Sequence, residues 1–86
     1  MTPEHPTVVD DLDINETDDG LIIYVPATDR VHYLNTTASV VLQLCDGSRS
    51  PAEIAAEVGE LFELDVVPVA ETEDCLDRLG REGLVS

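Results

Sequence analysis

The side chains able to do chemistry are few and scattered. The 86 residues hold two histidines (His5 and His32), two cysteines (Cys45 and Cys75) and nineteen acids. A histidine activates a serine when an acid orients it. His32, however, lies between Val31 and Tyr33 in a strand-like stretch, and reads as a surface or groove side chain. His5 falls in a proline-containing opening segment and reads as solvated. The cysteines stand 30 residues apart, with no Cys-x-x-Cys and no Cys/His cluster, so the spacing offers no zinc set. Each sits in an apolar helical pattern, where a free cysteine acts as a small hydrophobe. "DDLD" at Asp10–Asp13 lacks the glycine and the distant glutamate of a calcium loop. The other acids lack the apolar setting that raises a carboxyl pKa for proton transfer, and no glycine-rich loop is present to cradle phosphate. The sequence therefore predicts a protein that is not an enzyme and has no catalytic residue, metal or cofactor.

Charge narrows the partners. The formal net charge is −15, the only cations are Arg30, Arg49, Arg78 and Arg81, and lysine is absent. The first 29 residues carry eight acids and no arginine. A nucleic-acid surface needs lysine and arginine to displace counterions, so this chain repels a phosphate backbone. Anionic membrane surfaces are disfavoured for the same reason. The field favours a basic partner during approach, and the same excess also serves plain solubility. No run of eighteen apolar residues and no signal-peptide pattern appears, so the expectation is a soluble, cytoplasmic protein with reduced thiols.

The elements that would position these residues follow from periodicity. Residues 1–9 show two prolines and little pattern, and read as a flexible tail; residues 10–86 form one domain. Asp11–Thr17 alternates like a half-exposed strand, with Leu12 and Ile14 on one side. Asp19-Gly20 is the strongest hairpin signal. Leu21–Val25 reads as a central strand ended by Pro26, and Arg30–Leu34 as the third strand. Asn35, Thr36 and Thr37 can cap a helix over about Thr37–Cys45, with Asp46-Gly47 as its stop. Ser50–Glu53, "SPAE", is a capping box opening a helix through Phe62. A third helix spans about Pro68–Glu82, with acids early and Arg78 and Arg81 late, as its dipole favours. With three phenylalanines and tyrosines in all and no tryptophan, the core must be aliphatic. Three antiparallel strands followed by three helices make an α+β domain.

The stretch "HYLNTTASVVLQLCDGSRSPAEIAAEV", followed by "CLDRLGREGLVS", resembles the PqqD family of peptide chaperones, also called RiPP recognition elements. The marks are Leu34-Asn35, Thr36-Thr37, the helix Val40–Cys45, Asp46-Gly47, the helix Pro51–Phe62, and Leu76–Leu79 running to Gly83-Leu84-Val85, over about Gly20–Ser86. The resemblance implies a winged-helix-like fold. It implies a non-catalytic chaperone that binds the leader of a ribosomally made precursor peptide as an added strand. The leader is then presented to a modifying enzyme such as a radical SAM enzyme, a cyclase or a peptidase. Carried over by position, the edge is Arg30, Val31, His32, Tyr33 and Leu34, and the wall is Val69, Thr72, Cys75, Leu76 and Leu79. Arg30, His32, Thr72 and Cys75 are the least needed by a core. The acidity of the wall helix suits a leader with basic residues. Two alternatives stand beside this reading. One is an acyl or peptidyl carrier, with Ser39 or Ser50 as the attachment point, although the usual Asp-Ser pair is missing. The other is a winged-helix nucleic-acid binder, which the charge opposes.

Overall fold

In a computed structural model, which describes residues 4–86, the chain forms strands β1 (Asp13–Thr17), β2 (Gly20–Val25) and β3 (Arg30–Asn35). Helices α1 (Thr36–Gln43), α2 (Pro51–Leu61) and α3 (Val69–Arg81) follow. The sheet is antiparallel in the order β1-β2-β3, so the domain is the α+β arrangement expected. Leu21 faces Leu34 and Ile23 faces both Ile14 and His32. Because side chains alternate along a strand, these residues share the helix-facing side. Leu21, Ile23 and Leu34 there join Val41, Leu42, Ile54, Val58, Leu76, Leu79 and Leu84 in one core cluster. Each such burial contributes roughly 1.5–3 kcal/mol. All five residues of β1 are exposed, so that strand is held mainly by its ladder with β2.

The turns differ in detail from the sequence reading. Thr17 pairs with Gly20, which makes Asp18-Asp19 the two-residue turn and puts Gly20 inside β2. Its φ is +150°, and a Cβ there would collide with the Leu34 carbonyl oxygen. Glycine is thus required by close strand approach rather than by the turn. β2 does end at Val25, before Pro26, and a four-residue loop leads to Arg30. In that loop the Tyr24 hydroxyl donates to Asp29 Oδ1 at 2.7 Å.

The helix starts follow their caps. Asn35 Oδ1 accepts from the Ala38 N–H at 2.8 Å, which opens α1 one residue earlier than the sequence suggests. Ser50 Oγ accepts from the Glu53 N–H at 3.2 Å, and Glu53 Oε1 accepts from the Ser50 N–H at 3.0 Å, closing the capping box. Helix α1 stops at Gln43 with Leu44 as its cap, short of Gly47. Gly47 is therefore not its terminator. Its positive φ and its N–H, donated to the Pro6 carbonyl at 3.1 Å, serve a different contact.

That contact concerns the segment expected to be a tail. Val8 donates to the Cys45 carbonyl and Val9 to the Leu84 carbonyl, both at 3.0 Å, while Thr7 and Ser86 exchange backbone bonds at 3.0 and 2.9 Å. Pro6 is fully buried. From Pro6 onward the chain is thus bonded between the α1–α2 connection and the C-terminal residues; the tail reading of residues 1–3 lies outside the described residues. No pattern in "HPTVV" announces this, because the partners are carbonyls distant in sequence.

Candidate functional site

Among the described residues β3 pairs with β2 on one side only. On its other side no Cα of α3 comes within 8 Å of a Cα of β3, whereas α3 packs against α1 and α2. At every Cα pair β3 and α3 therefore stand more than 8 Å apart, and the space between them is the candidate cleft. The two walls approach at one end, where His32 Nδ1 lies 3.4 Å from Glu82 Oε2. An unpaired edge presents alternate N–H and C=O groups to whatever enters. The sheet's other edge, β1, carries Asp13 and Glu16, charges of the kind that discourage strand pairing.

The ten residues named from the sequence distribute unequally in this cleft. On β3, Arg30, Val31 and Tyr33 are exposed, His32 is half-buried and Leu34 is core. Arg30, His32 and Leu34 lie on the helix side; Val31 and Tyr33 lie on the opposite face with Tyr24 and Ile22. On α3, Leu76 and Leu79 are fully buried, and Thr72, expected to be dispensable to the core, is 2% exposed. Val69 is exposed in the first turn. Cys75 alone of the five combines partial exposure with a place beside the core.

Helix geometry identifies what was missed. At about 100° per residue, Glu71, Cys75, Arg78 and Glu82 fall on one stripe. Glu82, at the end of this stripe, meets His32 of β3, whereas Glu71 and Cys75, nearer its start, line a cavity shared with α1 and α2. Glu82 is therefore a neighbour of β3 that the sequence reading did not name. The signal was present in part, since burying 72, 76 and 79 leaves 71, 75, 78 and 82 at the border. Which border faces β3 is settled only by packing. Two acids and one arginine make up the charges of the stripe. Glu73 and Asp77 lie around the helix from it, so the helix's acidity is mostly directed elsewhere. Burial pushes the Cys75 thiol pKa up, opposed by Arg78 and aided by Glu82.

Beyond the Asn35 end of β3, a cavity of about 310 Å³ opens between the three helices. Val41, Val58, Phe62 and Thr72 are among its walls, and Glu71 and Cys75 form part of its α3 side. Among the described residues, no group of three or more His, Cys, Asp or Glu side chains is placed to hold a metal ion. No helix among them is long and apolar enough to cross a membrane. The two carrier candidates are engaged. Ser39 is 6% exposed and its hydroxyl donates to the Asn35 carbonyl at 2.7 Å. Ser50 Oγ is the α2 cap.

The site is thus a small sheet with one open edge beside a helix. The family model described as coenzyme PQQ synthesis protein D (PqqD) matches residues 20–85, and the chain belongs to that family. Two solved structures share its fold. One, "TbiB1 in Complex with the TbiA(beta) Leader Peptide", superimposes with a TM-score of 0.76 at 20% identity, covering 93% of this chain and 94% of that one. The other, "Lasso peptide synthetase B1 complexed with the leader peptide", gives a TM-score of 0.72 at 20% identity, covering 95% and 98%. No curated protein matched the sequence significantly.

Proposed function

We propose that the chain binds the leader of a ribosomally made precursor peptide as a fourth strand on β3 and presents it to a modifying enzyme, without itself catalysing a step. The observation that carries this is the outer edge of β3, unpaired and separated from α3 by a cleft with no close backbone contact across it. Strand addition needs such an edge for main-chain bonds and a neighbouring wall for selectivity. Both similar structures were solved with a leader peptide, which supports the same use here. Arg30–Leu34 supply the edge. Cys75, with Glu71, Arg78 and Glu82, supplies the reachable wall and Val69 the outer end, while Thr72, Leu76 and Leu79 support it from the core. Mixed charge on the stripe suits a leader with at least one basic residue opposite Glu71 or Glu82. The receiving enzyme is a radical SAM enzyme, cyclase or peptidase, and the site of action is the cytoplasm, where the precursor is made.

Titrating labelled protein with candidate precursor leader peptides tests this. Amide shifts should cluster on Arg30–Asn35 and on Glu71–Glu82. Shifts confined to β1, or none at all, would reject strand addition on β3.

A further inference from the structure

Outside the cleft, the most unusual surface is the corner joining α2 to α3. Leu61, Phe62, Leu64, Val66, Val67 and Val69 are exposed by 62, 37, 48, 77, 48 and 43%. Six large apolar side chains within nine consecutive residues form a patch of the kind monomeric proteins seldom leave bare. The corner is also built in place. The Leu64 N–H donates to the Gly59 carbonyl at 2.8 Å and the Glu63 N–H to the Glu60 carbonyl at 3.2 Å. This is a Schellman closure, with Glu63 in the left-handed region at φ 53°. The loop lies against α2 at Gly59, where a Cβ would make ordinary contact with Pro68 Cδ at 3.4 Å. Phe62, Leu64 and Pro68 of this corner also roof the cavity of about 310 Å³. That volume, at the lower end for binding sites, accepts an apolar side chain or two.

Charge around the patch selects the occupant. Glu60, Glu63, Asp65 and Glu71 are interleaved with it, and no cation occurs between Arg49 and Arg78. A second copy would bring the same acids and a further net charge of −15 to the contact, which opposes self-association. An anionic membrane is opposed likewise. We propose that the α2–α3 corner is a docking surface for a partner protein whose contact segment carries a large apolar side chain between basic residues, the apolar group entering the cavity and the cations meeting Glu60, Glu63, Asp65 and Glu71. This surface lies off the β3 edge, but Val69, Glu71 and the cavity residues Thr72 and Cys75 also belong to the α3 side proposed for the leader, so the Arg30–Leu34 amides are what tell the two apart.

The test uses the full chain and three short amidated peptides: Lys-Lys-Leu-Phe-Leu-Lys-Lys, its glutamate-flanked twin, and Lys-Lys-Ser-Ser-Ser-Lys-Lys. The first should shift the amides of Leu61–Glu71 and leave those of Arg30–Leu34 unmoved; the other two should bind far more weakly. Val66→Asp should weaken the first peptide at least about fivefold, the loss expected for roughly 1 kcal/mol of apolar contact. The added negative charge would instead strengthen a purely ionic attraction, so tighter or unchanged binding of Val66→Asp overturns the proposal. Equal binding of the serine peptide, or shifts centred on Asp10–Asp19, overturns it too. So does a dimer in sedimentation that Val66→Asp dissolves, or binding to phosphatidylcholine vesicles that Val66→Asp abolishes, because another occupant would then cover the face.

Discussion

Cys75 is the side chain that reports most directly on the cleft. Its thiol is half-buried, and burial raises its pKa, so less thiolate is present at a given pH than in a free cysteine. Cys45 is buried, donates to the Val41 carbonyl at 3.1 Å, and has its pKa pushed up to about 12. At about pH 8, iodoacetamide should therefore modify Cys75 slowly and Cys45 hardly at all, and the Cys75 rate should keep climbing above the pH at which free thiols level off. Bound leader should protect Cys75; unchanged labelling, followed by mass, would remove it from the wall. A second residue-scale prediction uses two helix ends of the same design. Both α2 and α3 close with Schellman bonds, but the left-handed position holds Glu63 in one and Gly83 in the other. Only glycine adopts that conformation without steric cost. Glu63→Gly should raise the urea midpoint, by under about 1 kcal/mol because glycine also loosens the unfolded chain. Gly83→Ala should lower it by about 1 kcal/mol. Shifts of the same sign would contradict the assigned backbone.

At the scale of elements, α3 does two jobs on adjacent stripes. Thr72, Leu76 and Leu79 anchor it in the core, while Glu71, Cys75, Arg78 and Glu82 form the neighbouring stripe proposed above as the leader's wall. Sequence alone merges these, because alternate apolar and small residues suit either a wall or a core. A substitution such as Leu79→Glu looks from the sequence like a probe of the groove. In the structure Leu79 is 0% exposed, and a carboxylate there would be buried without a partner. Such a change costs several kcal/mol, so Leu79→Glu should unfold the domain, seen as lost far-UV circular dichroism. Cys75→Glu should keep the fold and speed leader release. A folded Leu79→Glu protein with weakened binding would show instead that Leu79 is a wall residue.

The whole molecule is an acidic shell around an aliphatic core, tied at both ends. Chain closure by residues 6–9 matters because a domain of this size buries little surface to spare. Thr7, Val8 and Val9 donate to Ser86, Cys45 and Leu84, and Gly47 donates to Pro6. At about 1 kcal/mol net per bond, offset by the entropy of ordering the segment, removing residues 1–9 should destabilise the domain by on the order of 2 kcal/mol. Urea melts of the truncated chain check this; an unchanged midpoint would mean the segment contributes nothing net. The net charge of −15 acts over the same scale. It accelerates encounter with a basic partner and fades as salt screens it beyond roughly 8 Å.

What the sequence determined by itself is local. The capping box at Ser50–Glu53, the break at Pro26, the strand alternation through Leu34 and the charge order along α3 each depend on neighbours a few residues apart. Those features were enough to give three strands, three helices and their order. Together with the spacing of Leu34-Asn35, Asp46-Gly47 and Gly83-Leu84-Val85, they were enough to point to the family that the match over residues 20–85 shows. Tertiary structure decided what depends on distant partners. It made Gly20 answer to the Leu34 carbonyl rather than to its turn, and Gly47 to Pro6 rather than to α1. It drew Thr72 inward, brought Glu82 to His32 of β3, and left the apolar corner at Leu61–Val69 uncovered. A helix's periodicity fixes which residues share a side. Which side is buried is chosen only when α3 packs against α1 and α2.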